Sequence, residues 1–308
     1  MNQDALYREA ERTIANGSRS FAAASRLLDA PTRESTVLLY TWCRHCDDVI
    51  DGQVLGHGQT LGERPDAGAE LRRLEAQTRA ACEGGPVGHP AFQGLAEVVR
   101  RHGIPTALPM EHLAGFGMDV HATHFASLDV LLQYCWRVAG VVGVMMARVM
   151  GVTHADTLDR ACDLGMAFQL TNIARDVLED AAIGRVYLPA DWLAEEGIAG
   201  VEGVLDPGKR EGVARVAARL VAQADPYYRS ARAGIADLPM RCAWSIATAR
   251  GVYREIGRKV VRDGAQAWDH RIATTAVEKL WFVARGAAVA LAAPTVARPA
   301  RPAGMFRR

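Results

Sequence analysis

The chain has 308 residues, 49% of them hydrophobic and only 6% aromatic, with 36 Lys and Arg against 35 Asp and Glu for a net charge of +1. That balance, without a basic block before the C-terminus, argues against a nucleic-acid surface, and the charged first eleven residues argue against a secretory signal. Length and an Ala-, Leu- and Val-rich composition suit a large core of packed helices, and six scattered cysteines suit buried thiols in a reducing, cytoplasmic setting.

Helical periodicity runs from end to end, with no strand-like alternation, so the expected fold is all-α, a single domain over residues 1–290. Residues 39–51 form the first element with chemical content. Leu39, Trp42, Cys43, Cys46, Val49 and Ile50 recur as an apolar stripe, while Tyr40, Arg44, Asp47, Asp48 and Asp51 make the opposite polar one. The Cys43-Arg44-His45-Cys46 string has the CxxC form but no companion pair, and both thiols fall on the apolar stripe, so they read as core. Glycine- and proline-rich links follow at residues 52–68, 84–90, 103–109 and 197–208, none biased enough to divide domains. Residues 138–151, rich in Ala and Gly, can approach a neighbouring helix closely.

The second polar element covers residues 167–180. Ala167, Leu170, Thr171, Ala174, Val177 and Leu178 make its packing side, and Gln169, Asn172, Asp176 and Asp180 share the other, with Glu179 at the edge. On a helix, residues four apart are neighbours, so Asp47 with Asp51 and Asp176 with Asp180 each set two carboxylates side by side. At an effective dielectric of ~20, such charges ~5 Å apart repel by roughly 3 kcal/mol, which a cation between them would relieve. Carboxylates and an amide oxygen are hard ligands suited to Mg²⁺, with Mn²⁺ as a substitute, and Arg44 and Arg175 add forks for phosphate oxygens. Either acidic face alone could be a solvated helix surface; two of them in one chain point to a site. Residues 281–297 are apolar but broken by Arg285 and Pro294, short of a membrane span. The basic tail, residues 291–308, reads as disordered, with arginines that could touch an anionic membrane.

Three strings resemble the squalene and phytoene synthase family of isoprenoid enzymes. Tyr40 to Asp51 carries the order Tyr-x-x-x-Arg-x-x-Asp-Asp-x-x-Asp. Tyr134-Cys135-Trp136-Arg137-Val138-Ala139-Gly140-Val141-Val142-Gly143 resembles one family signature. Leu164-Gly165 through Gln169, Asn172, Arg175-Asp176, Asp180 and Arg185-Val186-Tyr187-Leu188-Pro189 resembles another. The resemblance implies a prenyl-synthase fold with a central cavity, in which two acidic helices hold Mg²⁺ against substrate diphosphate. By position it implies Asp47, Asp48, Asp51, Asn172, Asp176 and Asp180 as metal-site residues. Tyr40, Arg44, Gln169, Arg175, Tyr253 and Arg271, with Ser18, Arg19, Ser20 and Phe21, are then the residues around the diphosphates. The implied reaction joins two geranylgeranyl diphosphates head to head, through prephytoene diphosphate, to phytoene. Asp47, Asp51, Asp176, Asp180, Arg44, Arg175 and Tyr253 would carry the catalysis.

Several alternatives remain open at this level. Squalene or dehydrosqualene formation from farnesyl diphosphate uses the same motifs; the missing G-x-G-x-x-G string leads us to expect no NADPH, though weakly, because relatives bind it otherwise. A chain-elongating synthase would carry a second Asp-Asp pair where Asn172-Ile173-Ala174-Arg175-Asp176 stands. A helical scaffold or inactive relative would be expected to have lost some of these ligands.

Overall fold

A computed structural model of the chain describes residues 3–17, 22, 24–52, 66–296 and 298–308. Helices α1 (Gln3–Gly17), α2 (Ala30–Asp51), α3 (Ala67–Cys82), α4 (Pro90–His102) and α5 (Ala107–Val120) come first. Then α6 (Leu128–Cys135) runs through a π-helical turn, Trp136–Gly140, into α7 (Val141–Val149). The rest comprises α8 (Ala155–Ala182), α9 (Ala190–Glu195), α10 (Gly200–Leu205), α11 (Arg210–Gly234), α12 (Met240–Asp263) and α13 (Ala276–Ala292). No described residue is in a strand, as the periodicity predicts.

Local signals fix the ends of α2. Asp29 caps its start by accepting from the Thr32 amide at 3.0 Å, and Gly52 ends it at φ 63°, a left-handed conformation that suits glycine. The cap sets where the polar stripe falls: Leu39, Trp42 and Cys46 are fully buried, and the aspartates of the last turns stay on the open side.

The long α8 is the axis of the larger apolar cluster, packed between α11, α12 and the π turn with α7. Its contact with the π turn and α7 is backbone against backbone. A Cβ on Gly165 would stand 2.2 Å from the Ala139 carbonyl oxygen, and one on Gly143 would stand 2.3 Å from that of Ala161. Only glycine fits either position. The π turn, common near functional sites, lies at this crossing.

The stretch Leu128–Val149 is long and apolar enough to cross a membrane by composition, but it lies in the interior, with Leu131, Cys135, Val141, Val144 and Met145 fully buried.

Two chain ends are clasped onto this frame. Near the N-terminal end, Ser245 donates to the Ala24 carbonyl at 2.9 Å and Arg241 to that of Leu27 at 2.8 Å. At the other end the structure departs from the expected disorder. Arg301 forks onto the fully buried Asp163 at 2.7 and 2.9 Å, Arg308 pairs with Asp159, and Arg298 with Asp237. Met305 is buried and Phe306 packs on Trp136. A buried carboxylate is costly unless paired, so Asp163 supplies the reason for order. All three arginines make ion pairs within the protein.

Candidate active site

The end of α2 and the second half of α8 present their polar stripes to one space. On α8, Ala167, Leu170, Thr171, Ala174 and Val177 are buried, and Asn172, Asp176 and Asp180 stand on the less buried side, with Glu179 exposed. Arg185, just beyond α8, reaches across to Asp51 at 2.7 Å and also acts electrostatically on Asp180, so one guanidinium joins the two motifs. From α12, Tyr253 stacks on Phe168 with ring centroids 4.2 Å apart and feels Arg175, Asp176 and Arg44.

Below this polar end lies an apolar cavity. Val142 and Met146 of α7 with Met150 just after it, Leu164, Gly165 and Phe168 of α8, and Ile246 of α12 supply much of the wall. Gln169, Asn172 and Tyr253 line the cavity at the acidic end, while Thr157 and Arg160 line it near the opposite end of α8. The close crossing at Gly143 and Gly165 is therefore what gives the cavity its wall.

Charge in the acidic cleft is only partly balanced. Burial pushes Asp180 up to about 8, with Asp176 adding and Arg185 opposing. Burial likewise pushes Asp47 up to about 7 against Arg44, with Asp51 and Asp48 adding. Asp47 keeps about a third of its side-chain surface (36%), so its carboxylate meets solvent inside the cleft while protein crowds it on the remaining sides. Arg44 donates to Asp47 at 2.6 Å, and Arg175 forks onto Asp176. Both motif arginines are thus paired with carboxylates of their own helices.

These residues fit a hard divalent cation. The buried Oδ1 of Asn172 has no hydrogen-bond partner, and the raised Asp47 and Asp180 are carboxylates whose charge is destabilised until a cation joins them. No group of three His, Cys, Asp or Glu among the described residues is arranged to hold an ion unaided. Burial pushes the Cys43 thiol up to about 12, which keeps it protonated and supports the core reading of the CxxC string.

Of the other expected site residues, Tyr40 lies beside Arg44 on α2. Arg271 is exposed, 3.5 Å from Glu179, in a cleft it shares with Arg175 and Asp176. Ser18, Arg19, Ser20 and Phe21 lie outside the described residues.

Sequence reasoning passed over one carboxylate. Asp119, at the end of α5, accepts from Tyr134 at 3.0 Å and Tyr187 at 2.9 Å, two rings stacked 5.0 Å apart. Burial pushes it up to about 6, with Arg185 and both tyrosines opposing and Asp51 adding. Tyr134, Arg185 and Tyr187 all stand in the quoted strings, and that was the available signal. Asp119 sits alone in an apolar helix, with nothing local to mark it.

Comparison with known proteins adds to this geometry. The Squalene/phytoene synthase family profile matches residues 14–278. A 15-cis-phytoene synthase of Pantoea ananas is 51% identical over 308 residues, covering 100% of this chain and 99% of that protein. A phytoene synthase of Rhodobacter capsulatus is 39% identical over 279 residues, 91% of this chain and 80% of that one. A crystal structure of a dehydrosqualene synthase superposes with a TM-score of 0.82 at 26% identity, covering 93% of this chain and 96% of its own. A squalene synthase from Alicyclobacillus acidocaldarius superposes at 0.74 with 22% identity, over 85% and 95% of the two chains, a likeness of fold.

Proposed function

The chain belongs to the squalene and phytoene synthase family, and from that premise we propose that it is a prenyltransferase joining two geranylgeranyl diphosphates head to head into 15-cis-phytoene. The observation that carries this reading is the end-to-end match to a 15-cis-phytoene synthase, 51% identical, over a structure with an acidic cleft at one end of an apolar cavity. When bound between the two acidic helices, Mg²⁺ supplies charge stabilisation for departing diphosphate.

The chain's own groups do the rest. Arg44 and Arg175 hold the phosphate oxygens, Asp47, Asp51, Asp176, Asp180 and Asn172 hold the cation, and Tyr253 fixes the diphosphate beside the cavity mouth. The aliphatic walls of α7 and α8 exclude water that would quench an allylic cation. The final proton goes to the released diphosphate, held by Arg44 and Tyr253.

The length of the cavity wall supports the C20 reading. Along α8, Arg160 lies roughly 18 Å from Asn172 at 1.5 Å per residue. An extended covalent chain advances roughly 1.2 Å per bond, so a four-isoprene tail spans roughly 18 Å. A three-isoprene tail falls short of Arg160, a lining residue near the far end of the cavity, and a five-isoprene tail overruns it. Purified protein with Mg²⁺ is therefore expected to turn over the C20 diphosphate far faster than the C15 or C25 homologue. Mass spectrometry of the hydrocarbons, with and without NADPH, reads the result; a C30 product as the main one, or hydride incorporated from NADPH, would overturn the assignment.

Arginine geometry is testable on its own. Lysine at position 44 or 175 keeps the charge but not the fork, and a lost charge-assisted hydrogen bond is worth about 1.5–3 kcal/mol. Arg44→Lys and Arg175→Lys should each weaken binding of a non-ionisable diphosphate analogue, read by calorimetry, about tenfold to a hundredfold. Unchanged affinity in both would return the two arginines to the helix ion pairs they make in this structure.

A further inference from the structure

Away from the acidic cleft, four arginines from three parts of the chain line one depression. Arg229 and Arg232 come from the last turns of α11, Arg250 from α12 and Arg298 from the C-terminal segment, with no acidic residue among the lining side chains. Nearby carboxylates fall short of neutralising them. Asp225 takes both Arg229 and Arg254, and Asp237 takes Arg298 at 2.6 Å. Arg232 has no hydrogen bond or ion pair among the described residues. Arg250 is largely buried and makes a single hydrogen bond, from Nε to the Tyr228 carbonyl at 2.8 Å, which leaves both terminal nitrogens without a partner.

Such a cluster costs free energy as it stands. Burial pushes Arg250 down to about 10, with the neighbouring Arg254 and Arg232 adding, so the protein holds a guanidinium where its charge is disfavoured. Helix packing alone does not require it, because Arg232 and the free nitrogens of Arg250 bond to nothing that folding needs. A multiply charged anion would remove the penalty, and converging planar guanidinium forks match the tetrahedral oxygens of a phosphoryl group.

We propose that this arginine cleft is a second phosphoryl-anion site, separate from the acidic cleft. Its ligand is either soluble diphosphate, or the phosphodiester headgroup of an anionic lipid. The surroundings give the second source a physical basis. Ala293 and Val296 form an apolar rim, and Leu291, Trp281, Leu280 and Val277 are exposed along the outer edge of α13, with Leu280 at 71% and Val277 at 79%. Acyl chains would lie along that edge while the headgroup enters the cleft; soluble diphosphate would use the arginines alone.

Arg232 is the residue to change, because it supports no partner and its loss leaves the fold intact. Full-length protein in EDTA would be titrated with inorganic diphosphate by calorimetry. It would be sedimented with phosphatidylglycerol vesicles and, as the uncharged control, phosphatidylcholine vesicles. We expect saturable binding in at least one anionic arm, weakened about tenfold by Arg232→Gln and further by Arg232→Glu, with the thermal midpoint no lower than that of the wild type. Loss in the vesicle arm identifies a lipid headgroup, and loss in the diphosphate arm identifies a soluble ligand. Wild-type protein that binds neither probe, or variants that bind as tightly as wild type, would overturn the site.

Discussion

Asp180→Asn is expected to remove turnover and, in the absence of metal, to make the protein more stable. The activity loss follows from taking a charged ligand out of the cation site; removal of one transition-state stabiliser typically costs about 10²–10³ in rate. The stability gain follows from the raised pKa. Burial and then Asp176 hold the Asp180 carboxyl at about 8 in the folded chain, above its unfolded value. Below the unfolded value both states are protonated and the group costs nothing. As pH rises toward about 8, the unfolded chain releases a proton that the folded one retains, so stability falls through that interval. Asparagine escapes this, so its advantage in EDTA should grow from about pH 5 to pH 8, read as a difference in thermal midpoint. Adding Mg²⁺ with diphosphate should restore the wild type and leave the variant unmoved.

Asp51→Asn provides the contrast. It too should lose turnover, but its carboxylate already serves Arg185, so the metal-free midpoint should fall instead of rise. If both variants shift stability in the same direction, the charge assignment of the cleft is wrong.

The second large effect concerns backbone. Gly165→Ala would put a methyl group 2.2 Å from the Ala139 carbonyl oxygen and 2.9 Å from the Gly140 Cα, atoms that move only if two helices separate. Overpacking commonly costs 1–3 kcal/mol and more where no side chain can yield, so a loss of about 3 kcal/mol or more is expected. For a chain of this size that lowers the midpoint by several degrees, and the displaced wall should reduce turnover as well. Gly117→Ala is the control. Its methyl meets only Leu71 Cδ2 at 3.5 Å, and alanine is the better helix former by up to about 1 kcal/mol, so that variant should be as stable as wild type or more so. Chemical denaturation of the pair would show the contrast; equal behaviour would mean the helix crossing is not tight.

The acidic helices were legible because their information is local. A period of four residues puts Asp47 beside Asp51 and Asp176 beside Asp180 whatever the rest of the chain does, and capping by Asp29 and Gly52 is written beside the helix it bounds. What escaped detection depends on partners distant in sequence. Asp119 acquires its role from Tyr134, Tyr187 and Arg185. The tail's composition suggests disorder until Asp163, buried 138 residues away from Arg301, supplies a counter-charge. Arg44 was read on the first polar stripe and Arg175 within a turn of the second, but their pairing with Asp47 and Asp176 depends on rotamers that spacing does not determine.

The clasps at the two ends also bear on how the molecule is made. Ser245 meets Ala24 across 221 residues, Arg241 meets Leu27 across 214, and Arg308 meets Asp159 across 149. Individual helices form within about a microsecond, whereas contacts of such separation must wait until the intervening chain has been closed. In refolding, the helices around α8 therefore assemble before either end is fastened, and for that interval the apolar interior stands open to other chains, with aggregation competing with completion. Since the clasps form after the rate-limiting assembly, cutting one should accelerate unfolding while leaving the refolding rate nearly unchanged.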